Sequence, residues 1–159
     1  MGEEAASYRG RGPHRIYVDE YADPASPAGT AVEVEDQLPE NWLLSRGDSG
    51  RYQLDTLQLV ACAYQYEVGG EGELGVCRYQ DSSGNTYGDT TVTAKYDFRV
   101  YVAATGKLLS TFTVEGEDQS CPTSRWVYPG EGENFDIAAE PDYAEVEHRL
   151  KPLVERNVP

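Results

Sequence analysis

Three cysteines and two histidines have the widest chemical reach in this 159-residue chain, and their spacing decides what they can do. Cys62, Cys77 and Cys121 make one disulfide and one leftover thiol. Leu57 to Val68 reads as a strand, Gly69-Gly70 as a turn, and Leu74 to Tyr79 as the returning strand. A turn centred on the two glycines pairs positions whose numbers sum to 139, which sets Cys62 opposite Cys77. Opposed residues have Cβ atoms about 4.5–5.5 Å apart, and a disulfide wants about 3.5–4.5 Å. The closer, non-hydrogen-bonded pair type suits it best, which calls for a four-residue turn from Val68 to Glu71. The predicted disulfide is therefore Cys62–Cys77. Cys121, before Pro122 in a loop, is the predicted free thiol, with pairing to either other cysteine or to another chain left open.

Catalytic and metal chemistry find little support. A nucleophilic Cys121 needs a nearby base, and none is evident. His14 sits in a Gly/Pro segment, and His148 lies on a predicted helix among Glu145, Glu147 and Arg149, so no zinc spacing can be drawn. Asp81, Ser83 and Asn85 match the first, third and fifth positions of a calcium loop. Thr86 stands where glycine is required and Val92 where glutamate is, so the pattern fails. Gly69 to Glu73 is glycine-rich but carries carboxylates that repel phosphate. Arg46-Gly47-Asp48 reads as an exposed turn. Acidic pairs are too common here for any one to be singled out as a glycosidase pair. The expectation is no catalytic residue, no metal and no cofactor.

Thirteen Lys+Arg against 28 Asp+Glu give a net charge of −15. Phosphate binding needs a basic footprint, so nucleic acid is not an expected partner. Only three lysines stand against ten arginines, a balance that suits a high-GC or salt-adapted source with an acidic, soluble surface. No window approaches the roughly 18 apolar residues of a membrane helix, so direct membrane insertion is not expected. Met1 to Ser7 is acidic and small, unlike a secretory leader. The expectation is a cytosolic chain or the mature or trimmed part of something larger.

Elements must position these groups. Residues 1–36 read as a flexible N-terminal arm and connector, with Arg9, Arg11 and Arg15 as the only basic cluster. Residues 37–154 form one globular domain and 155–159 a tail. Ala31 to Glu35 alternates like a short strand, and Leu38 to Leu44 is an apolar anchor whose Trp42 belongs in the core. Val92, Ala94, Tyr96, Phe98, Val100 and Val102 alternate with polar residues as a long half-buried strand. Ala104 to Lys107 turns it back, with Leu108, Phe112 and Val114 on one side. Asp81 to Asp89 reads as a polar loop, and residues 115–140 as an extended loop pinned by Trp126, Val127 and Phe135. Pro141 and Asp142 start a helix whose Tyr143, Val146, Leu150 and Leu153 share a face, and Pro152 should end or kink it. The predicted fold is α+β, mainly β: a four-stranded antiparallel sheet of two hairpins with one C-terminal helix packed on it.

Leu59-Val60-Ala61-Cys62 through Cys77-Arg78-Tyr79, then Tyr96 to Tyr101, Ala104 to Lys107 and Cys121-Pro122, resembles a group of uncharacterised actinobacterial and cyanobacterial domains. The resemblance covers roughly residues 38–153 and implies an accessory or extracytoplasmic role. The first functional expectation is a non-enzymatic protein-interaction or accessory module of a bacterial envelope or multidomain system. Its candidate interface is Tyr64, Tyr66, Tyr79 and Tyr101, because tyrosine is enriched at binding surfaces. The alternative is a subunit of an oligomeric assembly, with the Arg9–Arg15 arm reaching a neighbour's acidic face. A hydrolase acting through carboxylates is the third reading. A Cys62–Cys77 disulfide implies an extracytoplasmic home, and reduced cysteines a cytoplasmic one.

Overall fold

The computed structural model describes residues 5–21, 34–44, 50–116, 121 and 136–159. Its strands are β1 (Arg15–Tyr21), β2 (Leu57–Tyr66), β3 (Glu73–Gln80), β4 (Thr86–Val92), β5 (Ala94–Val102), β6 (Leu108–Gly116) and β7 (Asp136–Ala138). One helix follows, α1 (Tyr143–Val154). The chain is mainly β with a C-terminal helix, as expected, but the strands form two mixed sheets. One has the order β1-β2-β5-β6 and the other β3-β4-β7. β1 runs parallel to β2, and β7 parallel to β4; the remaining pairs are antiparallel.

The correction to the predicted hairpin starts at Glu67, which takes a left-handed φ of 49° directly after β2. Gly69 and Gly72 follow at φ 76° and 119°, conformations that cost glycine little. They swing the chain out of the first sheet. Gly69 N–H donates to the Thr93 carbonyl at 2.7 Å, and Thr93 N–H donates to Gly72 at 3.1 Å. The turn therefore seats on the break between β4 and β5 instead of closing β2 onto β3. Lys95 adds ion pairs to Glu67 at 2.9 Å and Glu71 at 3.4 Å. β3 pairs with β4, part of which was read as a polar loop, and β5 returns to pair with β2. Cys62 consequently stands opposite Arg99 and Cys77 opposite Asp89.

The core lies on the inner face of the four-stranded sheet. Leu59, Ala61 and Ala63 of β2 meet Tyr96, Phe98 and Val100 of β5, as the alternation predicted. Ile16 and Val18 extend this face on β1, and Val146, Leu150 and Val154 of α1 join the same cluster with Trp42. Phe112 stacks on Phe98 with ring centroids 4.9 Å apart. A bulge opposite Val100/Tyr101 shifts the register of β6. It turns Leu108 outward, 48% exposed, and leaves Leu109 packed against the core. The helix starts at Tyr143, past the expected Pro141, and Asp142 caps it by accepting from the Ala144 and Glu145 amides. Pro152 lies inside its last turn, so the helix ends just beyond it.

Residues 5–21, expected in a flexible arm, are built into the fold through β1 and a bridge from Gly10 to Val158. Val34–Gln37 is a 3-10 turn rather than the end of a strand. The expectations placed on 22–33, on Arg46–Asp48 and on Trp126, Val127 and Phe135 lie outside the described residues.

Candidate functional site

The register places a block of side chains on the outer face of the four-stranded sheet. Across β1, β2, β5 and β6, one row reads Tyr17, Val60, Tyr101 and Leu108, and the next Asp19, Cys62, Arg99 and Thr111. A third row reads Tyr21, Tyr64, Asp97 and Thr113; beyond it lie Tyr66, Lys95 and Glu115. These are the alternate positions of strands whose other positions are buried, so strand periodicity alone gathers them.

Within the block the rings are ordered by contact. Tyr21 and Tyr64 stack with centroids 5.1 Å apart, and the Arg99 guanidinium sits 5.1 Å over the Tyr64 ring. Tyr52 meets Tyr17 edge-on at 5.8 Å. The Tyr21 hydroxyl donates to Asp19 at 2.6 Å, and this bond pushes the phenol up to about 12. Tyr66 and Thr113 both donate to Asp97, at 3.3 and 2.6 Å. Cys62 lies half-buried at the centre. Burial, followed by Asp19, pushes its thiol up against the opposing influence of Tyr64 and Arg99.

The predicted interface is brought together in part. Tyr64, Tyr66 and Tyr101 share this face; Tyr79 is on β3 in the other sheet. Arg9 and Arg11 are exposed near the C-terminal tail, away from it. Arg15 donates to the carbonyls of Asn41 and Leu43, both at 2.9 Å, which commits it to its own chain. Sequence reasoning missed Tyr17, Asp19, Tyr21 and Arg99. The signal was present: Ile16 and Val18 alternate with Tyr17 and Asp19, as in any half-buried strand.

The disulfide needs correction. Cys77 pairs with Cys121 across 44 residues, and Cys62 is the free thiol. The mispairing follows from the hairpin that does not form: once β3 leaves for the second sheet, Cys77 is out of reach of Cys62. The Asp81 loop also has a structural explanation. Asp81 accepts from the Ser83 and Asn85 amides, the Asn85 side chain and the Tyr87 hydroxyl, which lowers its carboxyl and organises the β3–β4 turn.

A concave groove runs between β6 and the start of α1, lined by Thr113, Glu115, Asp142, Tyr143 and Glu145. Its carboxylates include the helix cap Asp142 and Glu145, which pairs with Arg149 at 2.6 Å. Among the described residues, no group of three or more His, Cys, Asp and Glu is placed to hold a metal ion. No helix described is long and apolar enough to cross a membrane. Comparison with protein-family models, curated proteins and solved structures finds no match for the chain.

Proposed function

We propose that this chain is a non-enzymatic protein-interaction module that docks a partner on the outer face of its four-stranded sheet. The observation that carries this reading is the convergence of Tyr17, Tyr21, Tyr64 and Tyr101 around Arg99 and Cys62. Tyrosine and arginine are the types enriched in the cores of protein interfaces. Charge supports the same face. Its grid holds three acids (Asp19, Asp97, Glu115) and two bases (Arg99, Lys95), a net −1 within a chain of −15. An acidic partner meets little net repulsion there.

The area sets the kind of complex. Four strands about 4.8 Å apart and four rows about 6.8 Å apart give roughly 400–500 Å². Stable interfaces bury about 800 Å² per partner. The face suits a transient partner or one that also grips a flank. The Cys77–Cys121 disulfide supports an extracytoplasmic setting, since such bonds persist under oxidising conditions.

Cys62 supplies the test. Alkylation of native protein with a bulky maleimide places an obstruction at the centre of the face. A partner recovered from the source organism is expected to lose binding to the alkylated protein and to Tyr64→Ala. Undiminished binding by both would assign the contact elsewhere, and transfer of the effect to a second copy of this chain would favour self-assembly.

A further inference from the structure

β6 is an edge strand of its sheet, and its sequence lacks the devices that usually protect one. An unpaired edge is a template for another strand, and proteins blunt it with charge or proline. β1 carries Arg15, Asp19 and Glu20, and β3 carries Glu73 and Arg78. Residues 108–114 of β6 read Leu-Leu-Ser-Thr-Phe-Thr-Val, with no charge, proline or glycine, in a chain that is 26% charged.

Backbone parity identifies the open groups. Val102 N–H donates to the Lys107 carbonyl, whereas Ala103 N–H donates to Gln58 on β2. Even-numbered residues of β5 therefore direct their backbone to β6, and odd-numbered ones to β2. Opposite the odd residues Asp97 and Arg99 stand Thr113 and Thr111, whose N–H and C=O groups point out of the sheet. Glu115 has the same direction, and its carbonyl accepts from the Asp142 N–H at 3.4 Å. Among the described residues, nothing bonds the backbone of Thr111 or Thr113. A groove of about 710 Å³ lies between Thr113–Glu115 and the start of α1, which leaves room for a further strand.

We propose that β6 pairs antiparallel with β6 of a second copy of this chain, centred on Phe112, and joins two four-stranded sheets into one of eight strands.

Self-complementarity identifies the occupant. In this register Thr111 faces Thr113 of the second copy, and the two-fold axis repeats the pair, so the open groups exchange four backbone bonds. Phe112 falls on the axis, in the closer pair type without hydrogen bonds, opposite its own copy. It is half-buried and stacked on Phe98, so a second ring covers what the sheet edge leaves exposed. Aromatic and threonine pairs across strands both stabilise antiparallel sheets. Antiparallel pairing also brings the Lys107 end of one strand to the Glu115 end of the other. The bulge beside Leu109 and the Asp142 bond at Glu115 confine the pairing to this short stretch. Two chains of −15 repel, so the dimer is reversible and strengthened by salt.

Residues opposed across antiparallel strands share a face, so the two tyrosine-bearing outer faces lie side by side. Their joint area, roughly 800–1000 Å², reaches the about 800 Å² that a stable interface buries on each partner. The pairing itself requires no partner for that face, and its test uses the purified chain alone.

That test is sedimentation of the full chain from about 10 μM to about 1 mM, in about 0.5 M salt to screen the repulsion. A monomer–dimer equilibrium is expected. Amide exchange in the same samples should slow at Thr111 and Thr113 as dimer forms, about tenfold when about nine-tenths of the chain is paired. Amides of Ser110 and Phe112, already directed at β5, should not change. Thr111→Pro removes an N–H that the sheet does not use and should raise the dimer dissociation constant about tenfold or more. Protection of the β5 amides shows whether this variant keeps its fold; if it does not, the exchange pattern of the unaltered chain decides. A chain that stays monomeric, or a dimer whose Thr111 and Thr113 amides exchange as in the monomer, overturns the pairing. So does a folded Thr111→Pro chain that dimerises undiminished.

Discussion

At the residue scale one exacting position is Gly12. A Cβ there would run into the Val154 carbonyl and lie 2.8 Å from Glu155 Cα, both backbone atoms that cannot step aside. Gly12→Ala should therefore cost about 1–3 kcal/mol in denaturant unfolding, the usual cost of overpacking. Gly50, with open space around it, gives no steric contrast of this kind. Tyr96 is the second such position. Buried at 2% exposure, its hydroxyl donates to Ala139 at 2.8 Å and accepts from Gln65 at 2.9 Å. Tyr96→Phe leaves both buried partners unmet and should cost about 1–3 kcal/mol. Burial pushes the Tyr96 phenol up to about 12. The fold favours the neutral phenol, so this contribution is present below about pH 10 and is lost as pH rises through about 12. Phenolate absorbance should show Tyr96 ionising with alkaline unfolding; its ionisation in the native state at an ordinary pH would contradict the buried bond network.

At the element scale, the period of β5 and the place of α1 were legible in the sequence because each rests on local physics, although the expected strand began at Val92, which ends β4. Strict alternation from Ala94 to Val102 and an aspartate at the start of an apolar stripe need no knowledge of the rest of the chain. Asp142→Ala should cost the helix about 1 kcal/mol by thermal unfolding. Strand partnership was not legible. β2 and β3 flank a glycine-rich turn, the ordinary signature of a hairpin, yet Glu67 at φ 49° and the hydrogen bonds to Thr93 send β3 to another sheet. β1 was hidden for a different reason. Its partner lies about 40 residues away, in a parallel pairing that no local pattern announces. The disulfide inherits this error, since Cys77 follows β3. Closing 44 residues, the Cys77–Cys121 bond is worth about 4 kcal/mol in the chain-entropy account. Alkylation of denatured, unreduced protein should label one thiol, Cys62, and reduction should expose the other two. Label found first on Cys121 would contradict the pairing.

At the scale of the whole molecule, the charge balance and the tyrosine-rich face belong to one argument. A chain of −15 repels acidic partners, and on the outer face of the four-stranded sheet acids and bases come close to balance. Composition made the tyrosines conspicuous, but only the fold separates Tyr64, Tyr66 and Tyr101, which share that face, from Tyr79, which does not. The inner face is filled by the helix and Trp42, which leaves the outer face as the one we propose for docking. The most direct measurement is cross-linking from Cys62 with a photoreactive maleimide in an extract of the source organism. The control moves the label to a cysteine at Glu73 on β3, in a Cys62→Ser background. The account predicts a discrete protein adduct from Cys62 that disappears in Tyr21→Ala and Tyr64→Ala and is absent from the control. Adducts of equal yield from both positions, or an adduct indifferent to the tyrosines, would contradict it.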